Sequence, residues 1–150
     1  MDIRLIIGLG NPEVEYEKTF HNVGYLMIDF LGRGIKSGVF MNKSGEFVKQ
    51  ELKKNKVEPE NLLIVHDDSD IEFGKFKFSF GRNSAGHKGA QNIIDQLKTK
   101  NFWRLRIGIR PHIAKSAKRE KADKLVLKKI SAAQMITLEK VFKEAAEQLK

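Results

Sequence analysis

The sequence predicts an α/β fold, a single-domain three-layer α/β/α sandwich with a mixed, largely parallel central sheet. Two kinds of segment carry that expectation. Short continuous apolar runs, Ile3 to Ile7 and Leu62 to Val65, stop at glycines or polar clusters, as strands buried on both faces do where they reach a functional loop. Other segments repeat their apolar residues at helical spacing, and strands alternating with helices define the class. At 150 residues the chain fits one domain, 1–150, with enough length to bury its own core.

In chain order, Ile3 to Ile7 is the first strand, closed by Gly8 and Gly10, with Asn11 and Pro12 at its carboxyl end. Val23, Leu26, Met27 and Phe30 place the first helix from His21 or Asn22 to Gly32 or Gly34. Leu62 to Val65 is a second buried strand that delivers His66, Asp67 and Asp68 to its end, where open α/β sheets place their sites. From Lys75 to Phe80 the pattern alternates, giving Phe76, Phe78 and Phe80 to a core face and Lys75, Lys77 and Ser79 to a basic one. Ala90, Ile93, Ile94 and Leu97 mark a helix entered through Ser84, Gly86 and His87, and Leu105 to Ile109 is a further strand. Ser131 with Gln134 forms a capping box for a last helix whose stripe is Leu138, Val141, Phe142, Ala145 and Leu149. Lys115 to Lys124 reads as a basic, mobile connection.

Composition narrows the chemistry. With no cysteine, disulfides, thiolate metal sites and thiol nucleophiles are excluded. The first apolar run is too short for a signal-peptide core or a membrane span, so the expected location is the cytoplasm. Lys and Arg outnumber Asp and Glu by 28 to 19, for a net charge of +9. The basic residues are spread over several segments rather than gathered on an amphipathic helix, which favours nucleic acid over a membrane surface.

Several motif readings fail. The third glycine of a dinucleotide fingerprint starting at Gly8 falls on Glu13, and Pro12 interrupts the turn. A calcium loop from Asp68 has Gly74 one position late and Ser79 where the closing glutamate belongs. No serine sits in a nucleophile elbow, so a hydrolase here activates water directly. His21 is the candidate general base and Asp67 its natural orienting partner. A first-turn position disfavours protonated His21 and a nearby Asp67 favours it, which leaves a base usable near neutral pH. Asn11, Asn22 and Asn42 supply amides suited to holding a carbonyl and a water.

Taken together, Gly8-Leu9-Gly10-Asn11-Pro12 with Tyr16 and Thr19-Phe20-His21-Asn22-Val23-Gly24 resembles the opening signature of bacterial peptidyl-tRNA hydrolase. Three blocks resemble that family in the same order: Phe40 to Gly45, Val65 to Asp70, and Ser84 to Gly89 running on to Arg104 through Ile109. The resemblance implies hydrolysis of the ester joining a peptide to the 3′ ribose of tRNA, with His21 catalytic and Asp67 orienting it. It implies no metal or organic cofactor, a monomer, and peptidyl-tRNA as the partner. Asn11 and Asn42 match amides at the ester end and peptide, Tyr16 a cleft tyrosine, Met41 an apolar contact near the terminal adenosine. Lys77 and Arg106 match positions meeting tRNA phosphates, with Lys75, Arg82, Lys88, Lys98 and Arg104 extending that surface.

The chain also departs from the pattern. Lys88 stands where the family shows an asparagine, Phe20 replaces an arginine, and only Gly32 to Phe40 bridges the first helix to Met41, where the family is longer. Residues 111–123 depart from the family's pattern as well and read as a basic linker, so the resemblance implies no particular lid over the cleft. Two rival readings follow: a non-catalytic relative binding tRNA or structured RNA, and an esterase using Ser44 or Ser84.

Overall fold

A computed structural model describes residues 1–112 and 121–150. Five strands form one sheet in the order β2-β1-β3-β5-β4, from β1 (Leu5–Gly8), β2 (Ile35–Lys36), β3 (Leu62–Glu72), β4 (Phe76–Phe80) and β5 (Trp103–Arg110). Every pairing is parallel except that of β4 with β5. The helices are α1 (Val23–Leu31), α2 (Ser44–Asn55), α3 (Lys88–Leu97), the single turn α4 (Ala122–Leu125) and α5 (Ala132–Gln148). Among the described residues no helix is long and apolar enough to cross a membrane.

Alternation along the strands builds two cores. Ile6, Leu63, Val65, Leu105 and Ile107 face Met27 of α1 and Leu138, Val141 and Phe142 of α5. Leu5, Ile7, Leu62 and Ile64 face Val48 and Leu52 of α2 and Ile93 of α3. One sheet between two helix layers is the expected sandwich, and the runs at Ile6–Ile7 and Leu62–Val65 are continuous because both faces are covered. Gly24 of α1 sits where an added Cβ would strike the carbonyls of Leu9 and Val65. Its missing side chain lets α1 press onto β1 and β3, which brings the turn before α1 to the sheet.

Three expectations need correction. His66, Asp67 and Asp68 do not end their strand, because β3 continues to Glu72 by pairing with β5, with a register shift after Asp68. It is β1 that stops, at Gly8 opposite Val65, so Asp67 lies just past the end of its neighbour. The Phe76, Phe78, Phe80 face is only half-buried, since β4 is an edge strand, and Ser79 is the buried residue there, bonded to Arg106 at 3.1 Å. Most of the basic 115–124 connection lies outside the described residues, yet its last three positions, Ala122 to Lys124, belong to α4. The capping box is formed as expected, Ser131 Oγ accepting from the Gln134 amide at 3.1 Å and Gln134 Oε1 from the Ser131 amide at 2.9 Å.

The bridge from α1 to α2 is short. Tyr25 closes it, its hydroxyl 2.8 Å from Ser37 Oγ and accepting from the Gly38 amide at 2.8 Å. β2 within it has two residues.

Candidate active site

A cavity of about 800 Å³ opens beyond the end of β1. It is walled by the turn after β1, the turn before α1, the middle of β3, the start of α3 and the α4 segment, and His21, Asp67, Asn11, Met41, Asn42 and Lys88 all line it. Those six were expected together. Tyr16, Lys77 and Arg106 are not among its lining residues.

His21 sits in a single 3-10 turn, Phe20–Asn22, rather than in the first turn of α1. Its backbone N–H donates to Val126 O at 2.8 Å, so the segment after α4 clamps the turn from outside. Its Nδ1 lies 2.8 Å from Asp67 Oδ2. The other carboxylate oxygen, Oδ1, lies 2.8 Å from His87 Nε2. One aspartate therefore serves two histidines, and His87, which the sequence offered only as a helix entry, is the main site residue that was missed.

Partners fix the protons. His87 Nδ1 accepts from the Ala90 amide at 3.1 Å, so Nε2 carries hydrogen and donates to Asp67. His66 Nδ1 lies 2.6 Å from the Asp67 carbonyl, which only accepts, so His66 carries hydrogen on Nδ1. Asp67, acceptor-only when ionised, takes the Nδ1 hydrogen of His21, and the Nε2 lone pair of His21 is left for chemistry. His21, Asp67 and His87 also group as tightly as metal ligands do. Ligation through His87 Nε2 needs a lone pair there, which the Ala90 bond to Nδ1 opposes, so the donor set fits a hydrogen-bonded centre better than a cation.

Electrostatics agree. Burial pulls the His21 pKa down, the charge and hydrogen bond of Asp67 outweigh it, and Lys88 pulls weakly the other way, for a net rise above 6.5. Burial opposes ionisation of Asp67, but the two imidazoles hold its carboxyl well below the usual carboxylate range. His66 is held neutral by burial first, then by the neighbouring His87 imidazole and the Arg104 guanidinium.

The amides divide. Asn22 is buried and committed, its Oδ1 accepting from the Asn11 amide at 2.8 Å and its Nδ2 donating to the Asn11 carbonyl at 2.9 Å. It shapes the Asn11 turn and is not a substrate amide. Asn11 uses only Oδ1 on the Met41 amide, at 3.0 Å, and Asn42 is exposed on the wall. Met41 is 5% exposed within the α2 and α3 core. Tyr16 packs edge-on against Phe40, centroids 6.4 Å apart, and reaches the cavity only through that ring.

Two arginines are not where a phosphate surface needs them. Arg106 is buried, its Nε donating to Asp68 Oδ2 at 2.8 Å and its Nη1 to Ser79 Oγ. Arg104, 2% exposed, points inward as well. Both alternate with apolar residues on a central strand, so their side chains meet the sheet interior. Lys77 is exposed on β4, and Lys75 pairs with Glu72 at 3.2 Å. The serine reading also fails on geometry, since Ser44 Oγ donates to the Met41 carbonyl and Ser84 Oγ to Gln91 Oε1, neither to a histidine.

A mostly parallel sheet ending at a cavity with a buried aspartate and an oriented histidine has the layout of an enzyme built on an α/β sandwich. The family model for peptidyl-tRNA hydrolase matches residues 5–37 and 34–150, two stretches that meet at the short bridge. The chain is 34% identical over 171 aligned positions to the peptidyl-tRNA hydrolase of Aquifex aeolicus, covering 97% of this chain and 87% of that one. It is 34% identical to the Mycoplasma capricolum protein of the same name, covering 97% and 90%. The crystal structure of peptidyl-tRNA hydrolase from Acinetobacter baumannii superposes with a TM-score of 0.82 at 30% identity, covering 97% and 86%. The chain belongs to the peptidyl-tRNA hydrolase family.

Proposed function

We propose that this chain, acting as a single domain and a cytoplasmic monomer, hydrolyses the ester between the peptide and the 3′ ribose of peptidyl-tRNA released from ribosomes. The observation that carries the reading is the His21 to Asp67 pair, 2.8 Å apart at the wall of a cavity large enough for the ester and its flanking groups. His21 Nε2 takes a proton from water as the oxygen adds to the ester carbonyl. Asp67 stabilises the imidazolium formed. As the tetrahedral intermediate collapses, the C–O bond to the ribose breaks and the 3′ oxygen takes the proton from His21, leaving free peptide acid and tRNA. Asn11 and Asn42 hold the carbonyl and the peptide, and Lys88 contacts a phosphate or the peptide carbonyl. Met41 and Tyr16 shape the wall, the latter through Phe40. Lys77 contributes to the phosphate surface, while Arg106 acts internally.

A binding-only relative has no use for a histidine oriented by a buried aspartate that a second histidine braces. The deciding experiment measures release of N-acylated amino acid from tRNA alongside tRNA affinity, with and without a metal chelator. Turnover unaffected by the chelator supports the reading. Tight tRNA binding without any release overturns it.

A further inference from the structure

Arg104 is among the largest fully buried side chains, and no carboxylate bonds to it among the described residues. A buried guanidinium without an acid partner is an expensive feature for a fold to keep. Its donors go elsewhere. Nη2 donates to the carbonyl of Asn83 at 2.6 Å and, more weakly, to that of Arg82 at 3.4 Å, and Nη1 lies 3.3 Å from His66 Nε2. The two carbonyls belong to the loop between β4 and α3, which ends at His87. His66 is the residue before Asp67 and bonds the Asp67 carbonyl, and its ring lies 4.3 Å from that of His87.

We propose that Arg104 is a positioning residue for the hydrolytic centre, a buried cation that pins the loop carrying His87 to the strand carrying Asp67. The loop needs holding. Ala85 adopts φ 51°, a left-handed conformation that a residue with a Cβ adopts only at a cost, and Gly86 follows at φ 84°. Within the loop Ser84 ties to Gln91 and to the Gly86 amide, and Asn83 Oδ1 accepts a long bond from Lys100 Nζ at 3.4 Å. Arg104 ties the Arg82–Asn83 backbone of the loop directly to the sheet. Burial first, with the Arg104 charge adding to it, disfavours protonated His66, and the 2.6 Å contact with the Asp67 carbonyl fixes its hydrogen on Nδ1. Through the loop, Arg104 fixes where His87 meets Asp67, and through Asp67 how His21 is aimed. The side chain touches no substrate.

The inference rests on the proposed hydrolysis for its kinetic arm and stands apart from it in a spectroscopic one. Arg104→Met keeps length and loses every donor, and Arg104→Lys keeps charge but cannot bond His66 and both carbonyls together. For folded variants, kcat for N-acylated aminoacyl-tRNA is expected to fall about a hundredfold, the size of effect from misplacing a catalytic group by an ångström. Affinity for uncharged tRNA is expected to change less than about threefold, on the order of 0.7 kcal/mol. Nitrogen-15 NMR should show His87 leaving its single Nε2–H form for a mixture. His66→Gln keeps an oxygen for Arg104 and should retain both the His87 signature and most of the turnover. Unchanged kcat and unchanged His87 tautomer in folded Arg104→Lys overturn the proposal, as does a His66→Gln loss as deep as that of Arg104→Met. If the natural chain releases no product, the hydrolase reading falls, and the tautomer measurement still decides the role of Arg104.

Discussion

Replacing Asp67 by asparagine tests the proton arrangement most sharply. The natural carboxylate accepts two N–H groups, from His21 Nδ1 and His87 Nε2, each at 2.8 Å. Asparagine has the same shape but one accepting oxygen and one donating nitrogen. His87 cannot yield, because its Nδ1 is occupied by the Ala90 amide at 3.1 Å and its Nε2 must keep the hydrogen. The asparagine oxygen therefore turns to His87 and its NH₂ faces His21 Nδ1. His21 moves its hydrogen to Nε2, and the lone pair needed to activate water is gone. The expected loss in kcat is on the order of 10³–10⁴, as a base trapped in the wrong tautomer loses in serine hydrolases, with the fold intact. Single-turnover hydrolysis of N-acetylated aminoacyl-tRNA measures the rate, and nitrogen-15 chemical shifts report the tautomer. A variant within tenfold of the natural rate, or one whose His21 keeps hydrogen on Nδ1, refutes the reasoning.

Other outcomes follow from the same geometry. Lys88 disfavours protonated His21, so Lys88→Asn should move the acid limb of the kcat/KM profile to higher pH; an unmoved or lowered limb contradicts the placement of that charge. Asp67 has a depressed folded pKa, so its stabilisation is present above about pH 3.9 and is lost as pH falls. His21 has a raised one, so its share is full below about pH 6.5 and fades as pH rises through the folded value. Thermal melts should show the natural chain losing more stability than Asp67→Asn on acidification below about pH 4. Lys77→Ala should reduce the salt slope of tRNA binding by about 1, whereas Arg106→Met should leave the slope and destabilise by about 3–5 kcal/mol through the orphaned Asp68. Gly24→Ala should lower stability by about 1–3 kcal/mol in denaturant titrations, because its Cβ meets backbone carbonyls that cannot move aside.

The fold was legible where burial leaves a one-dimensional trace. Leu62 to Val65 is apolar at every position because helices cover both faces, and the capping box at Ser131 is local chemistry written within four residues. The length of β3 was not, since residues 66–70 and Glu72 are polar and stay in the strand through pairing with β5, a partner some forty positions away. His21 and Asp67 were legible as a pair through their motifs. His87 and Asn22 were hidden for opposite reasons, as His87 looked like a helix entry until the loop folded back on Asp67, and Asn22 looked free until it closed on Asn11. A charge count treats Arg104 and Arg106 as surface cations. Only the register of β5 between β3 and β4 shows that both point inward.

The central claim, that His21 is the base that activates water, is tested most directly by comparing the natural chain with His21→Ala for release of N-acylated amino acid from tRNA at low salt, with tRNA affinity measured in parallel. The account predicts a fall of about 10²–10⁴ in kcat at unchanged affinity. A variant that turns over at the natural rate would contradict it.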